Sequence, residues 1–225
     1  MPFDRMSRRI LATTAAAMVP MSLMASAAIL PAATANAQPC PDVEVVFARG
    51  TSEPPGVGRV GLALADQLRN QLGGRTVTTY GVNYPASYDF FTSADGANDA
   101  AARIATMAAQ CPNTSIVLGG YSQGAAVVDM LAGVPPLGNR IGDIGSAPPL
   151  PGSLNGNVAA VAVFGNPATK FGNPISARGS FTGKAVDLCA DGDPICSDGR
   201  NPFAHTSYER SPFIGQAASF AAGRV

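Results

Sequence analysis

Short apolar runs rich in β-branched residues alternate with longer segments of helical period, and this alternation limits the possible folds more than any other feature of the sequence. The run Val43 to Phe47 is apolar apart from Glu44, which is typical of a strand covered on both faces of a parallel sheet. Val57 to Leu72 repeats apolar residues on one helical face before Gly73 and Gly74 end it. Because such alternation forms βαβ units, the sequence predicts an α/β fold, a three-layer α/β/α domain around a mostly parallel sheet of about five strands.

The remaining segments continue the alternation. The segment Val134 to Asn157 is predicted to be a long loop without an amphipathic helix that could cover a site. The second helix is expected from about Asp95, with Asp95 or Ser93 as its N-cap. We expect further strands over Arg75 to Val82, Ser115 to Leu118, Val158 to Phe164 and Ala185 to Leu188, and helices from about Asp95 to Gln110, after Ser122, and from about Phe213 to Ala222.

The charge balance excludes one large class of partners. The 225 residues include 15 Lys and Arg against 15 Asp and Glu, and no basic cluster lies beyond the first ten residues. A nucleic-acid-binding domain needs a basic patch, so nucleic acid is excluded as a partner. Charged residues make up 13 % of the chain, about half the usual share, which favours a surface that tolerates apolar material.

The N-terminal residues have the pattern of a signal peptide. Arg5, Arg8 and Arg9 precede an apolar run from Ile10 to Leu30, and Ala35-Asn36-Ala37 is an A-x-A cleavage site. We therefore expect residues 1–37 to be removed, residues 38–225 to form one domain, and no membrane span to remain. An uncleaved anchor is the alternative, because the apolar run is long enough to cross a bilayer. The adjacent arginines resemble a twin-arginine signal, so the export route stays open.

The four cysteines, Cys40, Cys111, Cys189 and Cys196, all follow the cleavage site. An even number in an exported chain indicates two disulfides, for which three connectivities exist. Cys189 and Cys196 bracket a loop short enough to close locally, which leaves Cys40 to pair with Cys111. A four-cysteine zinc site is the competing interpretation, and it lacks a C-x-x-C pair.

The pentapeptide Gly120-Tyr121-Ser122-Gln123-Gly124 matches G-x-S-x-G. It lies between an apolar strand and a helix, which is where a nucleophile elbow presents its serine. The flanking glycines suit a turn too tight for a Cβ atom, and the serine is expected in a strained backbone conformation. The alternative is a glycine-rich turn whose serine caps the helix.

A serine hydroxyl needs an adjacent base, and His205 is the only histidine of the chain. It follows Ser122 and lies between the fifth strand and the last helix, so the order Ser, Asp, His can be satisfied. The acid must lie between the two. The candidates are Asp129, Asp143, Asp187, Asp191, Asp193 and Asp198, of which Asp191 and Asp193 occupy the short loop between Cys189 and Cys196.

Several motifs together resemble the cutinase family, in its secreted actinobacterial branch of serine esterases with the α/β-hydrolase fold. The likeness covers essentially all of Cys40 to Val225. The motifs are Val45-Val46-Phe47-Ala48-Arg49-Gly50-Thr51, Gly120-Tyr121-Ser122-Gln123-Gly124, Cys189-Ala190-Asp191-Gly192-Asp193-Pro194-Ile195-Cys196 and His205.

The resemblance implies a role for each matched residue. Ser122 would be the nucleophile, His205 the general base and Asp193, rather than Asp191, the acid that orients it. The backbone amides of Thr51 and Gln123 would form the oxyanion hole, with the Thr51 hydroxyl able to assist where fungal members carry serine. The disulfides would be Cys40–Cys111 and Cys189–Cys196. No metal or cofactor is implied.

The implied function is hydrolysis of carboxylic esters through an acyl-enzyme at an exposed, lidless site. The substrate would be a small-molecule or polymeric ester or a lipid, and the protein would be a secreted monomer, extracellular or associated with the cell wall. A phospholipase or longer-chain lipase on the same triad is one alternative. A secreted binding or antigenic protein with vestigial activity is another, since fold does not fix function.

Two further expectations concern side chains near the motifs. An acyl groove is expected, although ordinary loop packing would explain the same apolar residues. Arg49 is expected to hold the Thr51 loop rather than to anchor substrate. The expected groove residues are Pro194, Ile195, Phe203, Tyr84 and Phe90.

Overall fold

The computed structural model describes residues 39–138 and 144–225. The predicted signal peptide, residues 1–37, and the candidate acid Asp143 lie outside the described residues. Within the described ranges, no helix has the length and apolar character needed to cross a membrane.

Five strands pair side by side in one sheet. They are β1 (Val43–Ala48), β2 (Val77–Gly81), β3 (Ser115–Tyr121), β4 (Val158–Phe164) and β5 (Ala185–Leu188). Their order is β2-β1-β3-β4-β5, and every neighbouring pair is parallel. The predicted α/β class and five-stranded parallel sheet are confirmed, with β4 and β5 at the predicted bounds.

Helices cover both faces of the sheet, as a parallel sheet with apolar strands requires. One core cluster joins Val46 and Leu118 to α2 and α3, and a second joins Phe47 and Val117 to α1 and α6. The helices are α1 (Gly58–Gln71), α2 (Ser93–Gln110), α3 (Gln123–Ala132), α4 (Pro167–Lys170), α5 (Pro202–His205) and α6 (Phe213–Ala222), with 3₁₀ turns at Phe90–Thr92, Gly152–Asn157 and Tyr208–Arg210.

The start of α2 differs from the prediction. The helix begins at Ser93 with Thr92 in the N-cap position, and no side chain caps it. Ser93 is fully buried, and its Oγ accepts a hydrogen bond from Gln123 Nε2 at 3.1 Å. The 3₁₀ turn Phe90–Thr92 runs directly into the helix, so the predicted capping by Ser93 or Asp95 is wrong.

Strand β3 continues three residues beyond the predicted end at Leu118. Gly119 and Gly120 pair with both neighbouring strands, although glycine is a poor strand former. A Cβ atom on Gly119 would lie 2.6 Å from the Phe47 ring. A side chain at Gly119 would therefore not fit this packing without a shift of the Phe47 ring, and the strand carries the chain up to Tyr121.

Glu44, the one charged residue of β1, is buried with 2 % exposure. Its carboxylate accepts hydrogen bonds from Arg103 of α2, at 2.9 Å from Nε and 2.5 Å from Nη2. A paired guanidinium is what makes a buried carboxylate tolerable in a strand that is otherwise apolar.

Both disulfides that the sequence predicts are present. Cys40–Cys111 joins the chain before β1 to the end of α2, with 5.5 Å between the Cα atoms. Cys189–Cys196 closes a loop after β5 with 5.8 Å between the Cα atoms.

Asp129 on α3 is a fully buried carboxyl group. Its Oδ1 accepts a hydrogen bond from Asn166 Nδ2 at 3.0 Å, whereas its Oδ2 has no hydrogen-bond partner among the described residues. Burial, with a smaller contribution from nearby Asp187, raises the pKa of Asp129 well above its ordinary value despite the bond from Asn166. The folded protein thus favours the protonated acid at this position.

We expect Asp129→Asn to change how stability depends on pH. The unfolded chain releases this proton near pH ~4 while the folded chain retains it, so the native protein loses stability as the pH rises, by at most about 1.4 kcal/mol per pH unit. The free energy of unfolding of the variant should therefore increase relative to wild type between pH ~4 and ~7. Urea denaturation at several pH values measures the difference. Stability curves of wild type and Asp129→Asn that run parallel across this pH range would contradict the prediction.

Candidate active site

Ser122 stands at the tight turn between β3 and α3. Its backbone has φ 56° and ψ −117°, a strained conformation for a residue with a side chain, as predicted for an elbow. A Cβ atom on Gly120 would lie 2.2 Å from the Gly124 carbonyl oxygen, and one on Gly124 would lie 2.0 Å from the Ala48 carbonyl oxygen. The two glycines therefore allow α3 to start close against β1 and β3.

Two hydrogen bonds join Ser122 to a histidine and an acid from distant parts of the chain. His205 Nε2 lies 2.8 Å from Ser122 Oγ, and His205 Nδ1 lies 2.8 Å from Asp193 Oδ2. An imidazole with its proton on Nδ1 donates to the carboxylate and leaves Nε2 free to accept from the serine hydroxyl. The three residues are thus arranged as a nucleophile, a base and an orienting carboxylate are in serine hydrolases.

Asp193 is fully buried, yet its carboxylate has several hydrogen-bond donors. Oδ2 accepts from His205 and from the Tyr208 hydroxyl at 2.7 Å, and Oδ1 accepts from the Ile195 amide at 2.7 Å. Burial alone would raise the pKa of Asp193, but these hydrogen bonds outweigh it and hold the pKa below its ordinary value. The acid therefore stays ionised without solvent.

The other candidate acids have different places. Asp191 and Asp198 are exposed, and Asp187 accepts bonds from Asn166, Thr169 and the amides of Ile175 and Ser176. Asp129 is bonded to Asn166 inside the core. Among the described candidates, Asp193 is the carboxylate that contacts His205.

Thr51 and Gln123 face each other across the start of α3. The Thr51 hydroxyl donates to Gln123 Oε1 at 3.0 Å, so its hydrogen is engaged with that side chain. Gln123 is the first residue of α3, where a backbone amide has no partner inside the helix. Arg49 donates to the carbonyls of Glu53, Val82 and Tyr84 at 2.9, 3.2 and 2.6 Å, and so holds the Thr51 loop as expected.

The cleft beside Ser122 has a volume of about 580 Å³ and is mostly apolar. Of the five predicted groove residues, Ile195 and Phe90 line it. The other three do not line it. Tyr84 is buried, and its hydroxyl donates to the Arg49 carbonyl. Phe203, which is 78 % exposed, and Pro194 lie outside the cleft lining. The lining residues are Thr51, Arg59, Tyr88, Phe90, Tyr121, Ser122, Gln123, Leu137, Ile144, Pro167, Ile195, His205 and Thr206.

Several site residues could not be identified from the sequence. Gly165 has φ 56°, and a Cβ atom there would lie 2.9 Å from His205 Nδ1, so only glycine lets the imidazole approach β4. Tyr121 donates its hydroxyl hydrogen to the His205 carbonyl at 2.7 Å. The Tyr208 hydroxyl donates a hydrogen bond to the buried carboxylate of Asp193. The only signals were the position of Gly165 directly after a strand and of Tyr208 three residues after the histidine.

Across residues 39–138 and 144–225, no group of three His, Cys, Asp or Glu side chains is arranged to hold an ion.

Comparison with known proteins places the chain in a family. The family model described as Cutinase matches residues 39–225. Phospholipase Culp4 of Mycobacterium tuberculosis is 47 % identical over 220 residues, which cover 97 % of this chain and 93 % of that protein. A probable carboxylesterase of the same species, Culp3, is 50 % identical over 194 residues, covering 85 % of this chain and 72 % of that protein.

Solved structures agree with the sequence relatives. Trichoderma reesei cutinase, in complex with a phosphonate inhibitor, superposes with a TM-score of 0.65 at 36 % identity, covering 82 % of this chain and 77 % of that one. The catalytic core of acetyl xylan esterase from Trichoderma reesei gives a TM-score of 0.69 at 26 % identity, covering 83 % and 100 %. From the fold, the family match and these relatives, the chain belongs to the cutinase family and is a carboxylic ester hydrolase.

Proposed function

We propose that the protein is a secreted serine esterase in which Ser122 is the nucleophile, His205 the general base and Asp193 the orienting acid. One observation carries the proposal: the two 2.8 Å hydrogen bonds that link Ser122 Oγ to His205 and His205 to Asp193. A general base must lie within hydrogen-bond reach of the proton that it removes, and His205 meets that condition. The strained elbow presents the serine at the carboxyl end of the sheet, where open α/β folds bind their ligands.

The reaction proceeds through an acyl-enzyme. Ser122 Oγ attacks the ester carbonyl carbon while His205 Nε2 takes the hydroxyl proton, giving a tetrahedral intermediate and an imidazolium that Asp193 stabilises. The intermediate collapses, the bond to the alcohol oxygen breaks, and His205 gives its proton to the departing alcohol. Water, activated by His205, then attacks the acyl-enzyme by the same route and releases the carboxylic acid and free Ser122.

The oxyanion of each tetrahedral intermediate would be stabilised by the backbone amides of Thr51 and Gln123. The amide after the nucleophile is a donor in this fold, and the second donor comes from a loop after an earlier strand. The hydrogen bond between the Thr51 and Gln123 side chains and the hold of Arg49 on its loop would keep these amides at a fixed separation. Each donor would contribute about 3 to 4 kcal/mol to the transition state.

The cleft suggests a substrate with an apolar acyl part. Phe90, Leu137, Ile144 and Ile195 offer side chains that an acyl chain would contact, and Tyr88 and Phe91 add exposed aromatic surface. Phospholipid hydrolysis is the second candidate, because a relative at 47 % identity is named a phospholipase. A panel of p-nitrophenyl esters of increasing acyl length, a polyester and a phospholipid would separate the candidates. Inactivity towards all of them would favour a binding protein instead.

Export is part of the proposal. Disulfides such as the two in this domain form and persist mainly in oxidising compartments, and residues 1–37 carry the pattern of a signal peptide. The mature protein would then be the single esterase domain of residues 38–225. N-terminal sequencing of the protein recovered from culture medium would test the cleavage after Ala37.

We expect Ser122→Ala to reduce kcat by about 10⁶, because the triad residues act as a unit. An organophosphonate should label wild-type protein at Ser122 alone, as located by peptide mass spectrometry. His205→Ala should be comparably inactive, since the chain has no second imidazole. Ser176→Ala, outside the cleft, is the matched control and should retain activity. Labelling at another serine would refute the mechanism.

We also expect an open site. Leu137 and Ile144, from the segment Val134 to Asn157, line the cleft, but no lid has to move if Ser122 is accessible from solvent. The rate on a short-chain ester should then rise smoothly as the substrate passes its critical micelle concentration, because no closure is reversed. Initial rates across that concentration provide the measurement. A sharp rise in rate at micelle formation would show instead that a segment covers the serine.

The two disulfides should have different functional weight. Cys189–Cys196 closes a ring around Asp193 with a sequence separation of 7, whereas Cys40–Cys111 has a separation of 71. By loop-closure entropy the short ring contributes roughly 2 to 3 kcal/mol and the long one roughly 4. Replacing Cys189 and Cys196 by serine should therefore cause a large loss of kcat with a small loss of Tm. Replacing Cys40 and Cys111 should mainly lower Tm. The double variants are compared where both remain folded, and equal activities would contradict the split.

A further inference from the structure

Tyr208 lies against the candidate acid but does not face the cleft. It is 1 % exposed and belongs to the 3₁₀ turn Tyr208–Arg210, three residues after His205. Its ring contacts the rings of Tyr121, Phe164, Phe213 and His205, with centroid separations of 5.8, 5.9, 6.0 and 6.2 Å. This packing fixes the phenol, so that its hydroxyl group has one position.

The direction of each hydrogen bond at the phenol oxygen is determined by its neighbours. The Ala190 amide donates to the oxygen at 2.9 Å. Cys196 Sγ, at 3.5 Å, is part of a disulfide and has no hydrogen to give. The phenol hydrogen is therefore directed to Asp193 Oδ2 at 2.7 Å, a charged acceptor at a shorter distance.

The oxygen that receives this hydrogen is the one that faces the histidine. Asp193 Oδ2 accepts from both Tyr208 and His205 Nδ1, while Oδ1 is bound by the Ile195 amide. A continuous series of hydrogen bonds therefore runs from the Ala190 amide through Tyr208 and Asp193 to His205 and Ser122. Bonds in such a series polarise one another in a buried site.

We propose that Tyr208 is a positioning residue of the esterase site, which holds Asp193 Oδ2 against His205 Nδ1 and shares the negative charge of that oxygen. The inference rests on the proposed triad. A carboxylate with two donors on one oxygen and one on the other cannot rotate without breaking a bond. The phenol also takes part of the charge that the imidazolium would otherwise neutralise.

The sharing of charge determines the direction in which the pH profile of kcat/KM should move when the Tyr208 hydroxyl is removed. When His205 is neutral, it still donates from Nδ1 but carries no charge, so the carboxylate depends most on Tyr208 for stabilisation. When His205 is protonated on both nitrogens, the imidazolium and the carboxylate stabilise each other by their opposite charges. Removing the phenol hydroxyl therefore favours the protonated pair, and the acid side of the kcat/KM profile should move to higher pH.

Other charged or titratable groups lie near the pair and remain in place when Tyr208 is changed. Tyr121 contacts the His205 carbonyl, Arg59 and Glu209 pair beside Tyr121, and Lys170 donates to the Pro194 carbonyl. Asp191 is exposed in the same loop. Their contributions are common to wild type and variant, so they cancel in the comparison.

The test is Tyr208→Phe, which retains the ring packing and removes one hydroxyl. We expect kcat to fall about tenfold with KM within about twofold, and the acid side of the kcat/KM profile to move up by about half a unit to one unit. Tyr80→Phe is the matched control, because Tyr80 also donates to a carboxylate, that of Asp99, outside the cleft. It should leave the pH profile and kcat unchanged.

A second replacement, which should move the pH profile in the opposite direction, distinguishes the proposed role from a purely structural effect. Site-specific incorporation of 3-fluorotyrosine at position 208 strengthens the donor and should move the acid side of the profile to lower pH, whether or not Tyr208→Phe folds well. Unshifted profiles in both variants, or shifts of the same sign, would overturn the proposal. If Ser122→Ala remains active, the proposed triad is wrong. If Ser122→Ala is inactive but the pH profiles of both Tyr208 variants are unshifted, only the positioning role of Tyr208 is rejected.

Discussion

The close approach of α3 to the centre of the sheet is the contact on which the site depends. Gly124 meets the Ala48 carbonyl of β1, and Gly120 meets the first turn of α3, at distances that leave no room for a side chain. Ser122 is held between them with a positive φ, a strain that the surrounding packing must offset. The same contact brings the start of α3 beside the loop after β1, and so places Gln123 within reach of Thr51. A methyl group at either glycine would therefore disturb the serine and the Thr51 loop together.

Burial of a charge is the second constraint, and the loop after β5 is built around it. Asp193 is removed from solvent, and the bonds from His205, Tyr208 and the Ile195 amide replace the lost water. Without them a carboxylate in this place would take up a proton and could not stabilise an imidazolium. Asp129 shows the contrast, because one bond from Asn166 does not compensate its burial.

Local patterns in the sequence predicted the sheet, the elbow and the ester hydrolase family, because each depends on residues that are neighbours along the chain. Apolar runs placed β4 and β5 at their bounds, and the glycines around Ser122 marked the turn. The failures involve contacts between distant segments. The residues around Ser93 do not indicate that Gln123, thirty positions later, will donate a hydrogen bond to the Ser93 hydroxyl. The residues around Tyr84 likewise do not indicate that this side chain will be buried with its hydroxyl on the Arg49 carbonyl instead of lining the cleft. The roles of Ser122, His205 and Asp193 remain proposals that their geometry supports.

A chain with one histidine, placed in the site itself, carries its own spectroscopic reporter. The proton spectrum of the histidine ring contains a single set of signals, so no assignment by mutagenesis is needed to follow it. The Tyr121 ring lies 5.1 Å from the imidazole, centroid to centroid, and its ring current displaces those signals from the positions found in a disordered peptide. Folding of the acid loop, approach of an inhibitor and exchange of the imidazole proton can each be followed on unmodified protein through the same few resonances.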